Sequence, residues 1–213
     1  MASTTIHLLR HGEVLNPEGI LYGRLPGYRL SERGEAMAER VAGFLSASRR
    51  IDAVISSPLE RARQTAAPIA SAFGLDIQTD DRLIEADNYF EGMTFGFGDG
   101  SLRHPRHWPK LRNPFRPSWG EAYRDQVGRM TAAIDAARSQ VPGREAVLIS
   151  HQLPIWVTRL SFEGRHLWHD PRNRTCSLAS LTTLQFDGGT LTGIEYLEPA
   201  ADLLPGAATV AGA

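Results

Sequence analysis

The sequence predicts an α/β three-layer sandwich, with a largely parallel central sheet and helices on both faces. Two observations carry this expectation. Short apolar runs alternate with longer stretches whose apolar residues recur at helical spacing, and polar caps and glycines bound those stretches. One long irregular segment, about 86–120, interrupts the alternation and reads as a lid-like insertion. At 213 residues the chain fits a single domain over 1–199, with an Ala- and Gly-rich stretch, 200–213, as a flexible C-terminal tail.

The elements follow in order. TTIHLLRH is a short buried strand. LSERGEAMAERVAGFLSA is a helix with Ser31 as N-cap and one stripe of Met37, Val41, Phe44 and Leu45. IDAVISS is a second strand running into Ser57-Pro58, a cap followed by proline at the first helical position. The next helix puts Leu59, Ala62, Ala66, Ile69 and Phe73 on one face, and Gly74 ends it. LDIQTD is another short strand. Periodicity fails from Arg82 to about Gly120, then resumes with Tyr123, Val127, Met130, Ile134 and Ala137 on one helical face. EAVLISH is a strand and QLPIWVTRLSF the helix behind it. CSLASLTTLQF, DGG and TLTGIEYLE read as a β-hairpin.

Composition narrows the function classes. A net charge of −1 gives no global attraction to nucleic acid or an acidic membrane, so any anion binding must be local. The single cysteine, Cys176, excludes an internal disulfide and reads as a small buried hydrophobe in a strand. No stretch approaches the roughly 18 apolar residues of a membrane span, and no basic segment leads into a long apolar run, so a cytoplasmic location is expected. His7, inside a strand, reads as a satisfied core histidine. His166 and His169 flank Trp168 without a cysteine or a carboxylate pair nearby, so neither a metal nor another cofactor is expected. The 101–120 segment carries Arg103, Arg106, Lys110, Arg112 and Arg116 among aromatics and prolines. It reads equally as a lid over a site or as a surface or homodimer contact loop, with single-stranded nucleic acid a weaker third reading.

In an open parallel sheet, ligands bind beyond the carboxyl ends of the strands. Three strands end in polar chemistry: HLLRHG, AVISSPLER and AVLISHQ. If they run parallel, Arg10, His11, Arg61 and His151 meet at one edge, where they repel one another unless an anion sits between them. Phosphate fits: arginine offers a charged fork for two of its oxygens, and Arg61 lies in the first turn of its helix, where free amides add positive potential. A partly unprotonated imidazole can attack phosphorus. A leaving alkoxide needs a proton, for which Glu85 is the first candidate, with Asp87 and Glu91 as competitors.

Here the chain resembles the histidine phosphatase superfamily, in its phosphoglycerate-mutase-like branch. LLRHGEV, SSPLERARQTA, LIEADNYFEG and LISHQ are similar to its four signature blocks, in order and spacing, over roughly residues 5–160. RPSWGEAYRDQVGRM is a looser match to a Gly-Glu helix start with a downstream arginine, here Arg129. The resemblance implies that His11 is the nucleophile and becomes a phosphohistidine, that Arg10, Arg61 and His151 hold the phosphoryl oxygens, and that Glu85 is general acid and then general base. It also implies substrate contacts from Asn16 and Arg24, and from Gln152, which stands where the family usually has glycine. Val14 replaces a usual Thr or Ser, and one residue is missing before Asn16. The stretch EADNYFEG is unlike its counterpart in cofactor-dependent mutases. The resemblance therefore implies a metal-independent phosphatase acting on a small phosphorylated metabolite. A mutase-type phosphotransferase, or a catalytically idle phospho-ligand-binding module, is the alternative.

Overall fold

The computed structural model describes residues 3–94, 105–110 and 119–207. Six strands form one sheet in the order β3-β2-β4-β1-β5-β6: β1 Thr4–Arg10, β2 Ile51–Ser56, β3 Ile77–Thr79, β4 Glu145–Ser150, β5 Leu181–Asp187 and β6 Thr190–Leu197. The first four run parallel, and the β5–β6 hairpin adds antiparallel to β1. Four helices accompany the sheet: α1 Glu32–Ser48, α2 Glu60–Phe73, α3 Tyr123–Gln140 and α4 Gln152–Phe162.

Alternation along the strands separates two cores. Leu9, Val54, Val147 and Ile149 meet Met37, Val41 and Leu45 of α1 and Ala62, Ala66 and Ile69 of α2. Ile6, Leu8, Ile55 and Leu148 meet Met130 and Ile134 of α3 and Ile155 of α4 on the other face. This is the expected three-layer sandwich. Parallel central strands buried on both sides explain why β1 and β4 read as continuous apolar runs. Among the described residues no helix is long and apolar enough to cross a membrane.

Ser31 caps α1 as expected, accepting from the Gly34 N–H at 3.0 Å, while its hydroxyl donates to Glu13 in the loop after β1. Gly74 closes α2 in the left-handed region at φ 65°. Three expectations change. Helix α2 begins at Glu60 with Leu59 at the N-cap and no side-chain cap, so Ser57 and Pro58 precede it and the Ser57 hydroxyl is used elsewhere. Cys176 is buried, but in the loop before β5 rather than in a strand. The tail is anchored beyond residue 200: Ala200 is buried, and Leu203, Leu204 and Ala207 pack on the α1–α2 core. Residues 208–213 lie outside the described residues.

The base of the insertion is closed by an Asn88–Gly120 bridge and by the Tyr89 N–H donating to the Trp119 carbonyl at 2.7 Å. Within the basic segment, Arg103, His104, Arg112, Phe115 and Arg116 lie outside the described residues, as do the side chains of Arg106 and Lys110. The lid and contact-loop expectations fall mainly there.

The loop after β1 is pressed onto the first turn of α1. A Cβ on Gly12 would sit 2.6 Å from the Gly34 carbonyl oxygen, and one on Gly34 would run into the Glu13 carbonyl. Gly34→Ala should therefore destabilise the protein by about 1–3 kcal/mol in urea unfolding. Gly43→Ala, in the same helix with open space around it, should be neutral or stabilising by up to about 1 kcal/mol. Equal behaviour of the two variants would contradict the close approach.

Candidate active site

Strand register levels the site. Arg10 pairs with Ser150 and Ser56 with Ile149, so His11, Ser57 and His151 leave the sheet side by side. The His11 and His151 rings lie 5.1 Å apart, centroid to centroid.

Hydrogen bonding fixes the protonation of His11. Its Nδ1 is 2.8 Å from the Gly12 carbonyl, which can only accept, so Nδ1 carries the proton. Nε2 is left with its lone pair, and Arg61 Nε donates to it at 3.3 Å. Burial pushes the His11 pKa well below its usual value, and the charges of Arg61 and Arg10 push it further. A neutral ring with an unprotonated Nε2 is the form that can act as a nucleophile.

His151 is built on a relay. The Leu59 N–H donates to Ser57 Oγ at 3.4 Å, and Ser57 Oγ lies 2.8 Å from His151 Nε2. The hydroxyl can donate to Nε2, and in that tautomer the proton of the neutral ring sits on Nδ1. That atom is buried and has no hydrogen-bond partner among the described residues. Burial again lowers the pKa, helped by Arg61 and His11.

Arg61 is 1% exposed. Its Nη2 donates to the Gly23 carbonyl at 2.6 Å, and its guanidinium lies 4.7 Å from the centre of the Tyr22 ring. Burial raises the Tyr22 pKa to about 12, so the phenol stays neutral beside the cation. Arg10 donates from Nη1 to the Cys176 carbonyl at 2.7 Å. The lone cysteine thus contributes its backbone, while burial raises its thiol pKa.

Glu85 is buried, and burial raises its pKa toward the protonated form against the opposing pull of Arg61, Arg129 and Arg174. One of its oxygens accepts from the Ala86 N–H at 2.7 Å. The segment carrying it is held by its carbonyls: Arg129 Nη1 donates to Arg82, Ser150 Oγ to Leu83 and Arg24 Nε to Glu85 itself, at 2.6–2.7 Å. Glu121 ties two of these clamps together, pairing with Arg129 at 2.7 Å and with Arg24 at 3.1 Å. Of the competitors, Glu91 accepts from the Arg24 N–H and is only partly buried, and Asp87 is exposed.

The structure thus gathers His11, Arg10, Arg61, His151 and Glu85. It uses three other sequence candidates differently. Both ends of the Asn16 amide bond the Ile20 backbone and close its own loop. Arg24 grips the Glu85 carbonyl and Glu121. Gln152 bridges the Cys176 carbonyl and Arg174. Sequence reasoning missed Tyr22, the Ser57 hydroxyl and Arg174, which lie in loops where no periodicity marks an inward residue. Elsewhere, His7 is bonded at both ring nitrogens, by Thr183 and Glu145. His169 is bonded likewise, by Leu167 and Arg174. Among the described residues no cluster of three metal-ligating side chains forms.

The depressed histidine pKa values have a consequence for stability. Below the ordinary histidine pKa of about 6.5 the unfolded chain takes up protons that the folded rings refuse, so stability falls as pH drops through that value toward the lower folded one. His11→Asn should make this acid-side loss shallower by up to about 1.4 kcal/mol per pH unit, read from urea unfolding between pH 7 and 5. An unchanged slope would contradict a buried neutral His11.

Comparison with known proteins places these groups in context. The sequence model of the histidine phosphatase superfamily, branch 1, matches residues 6–196. The Mycobacterium tuberculosis protein Rv0525 is 57% identical over 198 residues, 93% of this chain and 98% of that protein. Phosphoserine phosphatase 1 of Hydrogenobacter thermophilus is 32% identical over 154 residues, 70% of this chain and 71% of that one. Bacillus stearothermophilus YhfR, a solved structure, matches with a TM-score of 0.71 at 27% identity, covering 89% of this chain and 94% of that one.

Proposed function

Because this chain belongs to the histidine phosphatase superfamily, we propose that it is a metal-independent phosphatase that hydrolyses a small phosphorylated metabolite through a phosphohistidine at His11. The observation that carries the reading is the His11 tautomer: Nδ1–H bound to the Gly12 carbonyl, Nε2 unprotonated and facing Arg61. A buried imidazole held in this way is prepared for attack on phosphorus rather than for a structural hydrogen bond.

The steps follow from the groups present. The phosphoryl group binds among Arg10, Arg61 and the Nδ1–H of His151, which supply fixed positive charge and donors for its oxygens. The His11 Nε2 lone pair attacks phosphorus, and the P–O bond to the leaving alcohol breaks. Glu85, whose burial favours the protonated form, gives its proton to the departing oxygen. The Glu85 carboxylate then takes a proton from water as that water attacks phosphorus. The N–P bond breaks, and phosphate leaves with Glu85 reprotonated. The arginines bring the charge stabilisation that a metal ion supplies in other phosphoryl-transfer enzymes. Activity is therefore expected to survive a chelator; loss on chelation and recovery with a divalent metal would overturn metal independence. A cytoplasmic location suits the one reduced, buried thiol, Cys176.

The acid assignment is tested through the leaving group, using kcat/KM, which covers the steps up to its departure. Glu85→Gln should lower kcat/KM for an alkyl phosphate by about 10²–10⁴-fold. For p-nitrophenyl phosphate, whose leaving group departs without a proton, the loss should be about tenfold or less by the same reasoning. Equal losses on both would contradict Glu85 as the acid. The pH profile follows in sign: activity falls on the acid side as His11 gains a proton and on the alkaline side as Glu85 loses one, and Glu85→Gln removes the alkaline limb. His11→Ala should cost at least about 10³-fold; an unchanged rate of phosphate release would remove the catalytic reading and leave a phospho-ligand-binding module.

A further inference from the structure

One more guanidinium is withdrawn from solvent near these groups, and among the described residues no carboxylate forms an ion pair with it. Arg174 is half-buried in the loop between α4 and β5. Among the described residues it takes part in no ion pair, whereas Arg24, Arg129 and Arg159, also partly buried, each have one. Its hydrogen-bond partners are neutral: Nε donates to His169 Nε2 at 2.9 Å, and Nη1 to Gln152 Oε1 at 3.3 Å. His169 is itself fixed by Nδ1–H donation to the Leu167 carbonyl at 2.8 Å. Nη2 makes no hydrogen bond among the described residues, and neither does the hydroxyl of Tyr123, whose ring lies 5.6 Å from that of His169.

Position gives this free donor its meaning. Glu85, Arg10 and Tyr123 all act on the charge of Arg174. Gln152 connects it to the phosphoryl end, since Gln152 Nε2 and Arg10 Nη1 both donate to the Cys176 carbonyl. Glu85 meets the oxygen of the leaving alcohol, so a cation beside Glu85 and Arg10 faces the part of the substrate that departs. A shielded guanidinium held only by neutral partners invites an anion, as Arg61 does.

We propose that Arg174, together with the Tyr123 hydroxyl, forms a second anion subsite that binds a carboxylate or a further phosphate on the leaving alcohol and selects a doubly anionic substrate. Gln152 and His169 hold the guanidinium in place. The assignment rests on the phosphatase reading for its orientation toward the leaving group.

The test compares 2-phospholactate with isopropyl phosphate, which carries a methyl group in place of the carboxylate. Arg174→Gln should lower the ratio of their kcat/KM values by about 30-fold or more, as expected for a charge-assisted hydrogen bond. Propane-1,2-diol bisphosphate forms a third arm: a larger fall in its ratio to isopropyl phosphate assigns the subsite to a second phosphate, a larger fall for phospholactate to a carboxylate. A second measurement separates the subsite from catalysis. In His11→Ala, calorimetric affinities for the same ligands, with and without Arg174→Gln, should show the same fall in ratio. If no substrate turns over but the affinity ratio responds to Arg174, the subsite stands and the phosphatase reading falls. Ratios unchanged within about twofold in both measurements would overturn the subsite.

Discussion

Arg61 is almost wholly buried, and the partner of its Nε is a histidine nitrogen rather than a carboxylate. A guanidinium stays protonated in proteins, so this places a fixed charge inside the fold beside a ring that must remain neutral. Much of the site follows from accommodating that pair. The Gly12 carbonyl takes the Nδ1 proton of His11, and the Gly23 carbonyl and the face of Tyr22 partly offset the cation. His151 is kept neutral by the same field and by burial. Taking a charge out of water costs several kcal/mol, and a bound anion offsets that cost more fully than neutral partners do. On the proposed reading, that anion is the phosphoryl group.

The acid is handled by a different device. Burial pushes the Glu85 pKa up against several arginines that favour its charged form, while its backbone is held by Arg24, Arg129 and Ser150. Glu121 pairs with both clamping arginines, and Arg129 still pulls Glu85 toward its charged form. Arg10 and Arg61 are directed at the reacting group, and Arg174 lies beside the acid with its fork partly open.

The strand ends were legible because apolar runs terminating in Arg-His-Gly, Ser-Ser-Pro and Ser-His violate the ordinary pattern of a strand meeting solvent, and the parallel register then brings them level. The helices were legible from their stripes. The loops were not. Ser57 followed by proline carries a helix-cap signal, yet its hydroxyl orients His151 while Leu59 takes the cap position. Asn16 sits near the expected motif, but its amide is consumed by the Ile20 backbone and closes its own loop. Tyr22 and Arg174 look like any polar-loop residues until the fold turns them inward. Cys176 acts through its carbonyl, a role that no side-chain pattern encodes.

The central claim is that His11 Nε2 is the atom that takes the phosphoryl group, because Nδ1 is committed to the Gly12 carbonyl. The most direct measurement is rapid base quenching during turnover, which preserves a phosphorus–nitrogen bond, followed by peptide mapping and phosphorus–proton correlation NMR of the trapped species. The account predicts a single phosphohistidine on His11, labile in acid and substituted at Nε2. Phosphate on Nδ1, on Ser57 or on His151, or turnover with no trapped phosphoenzyme where His11→Ala is as active as the wild type, would contradict it.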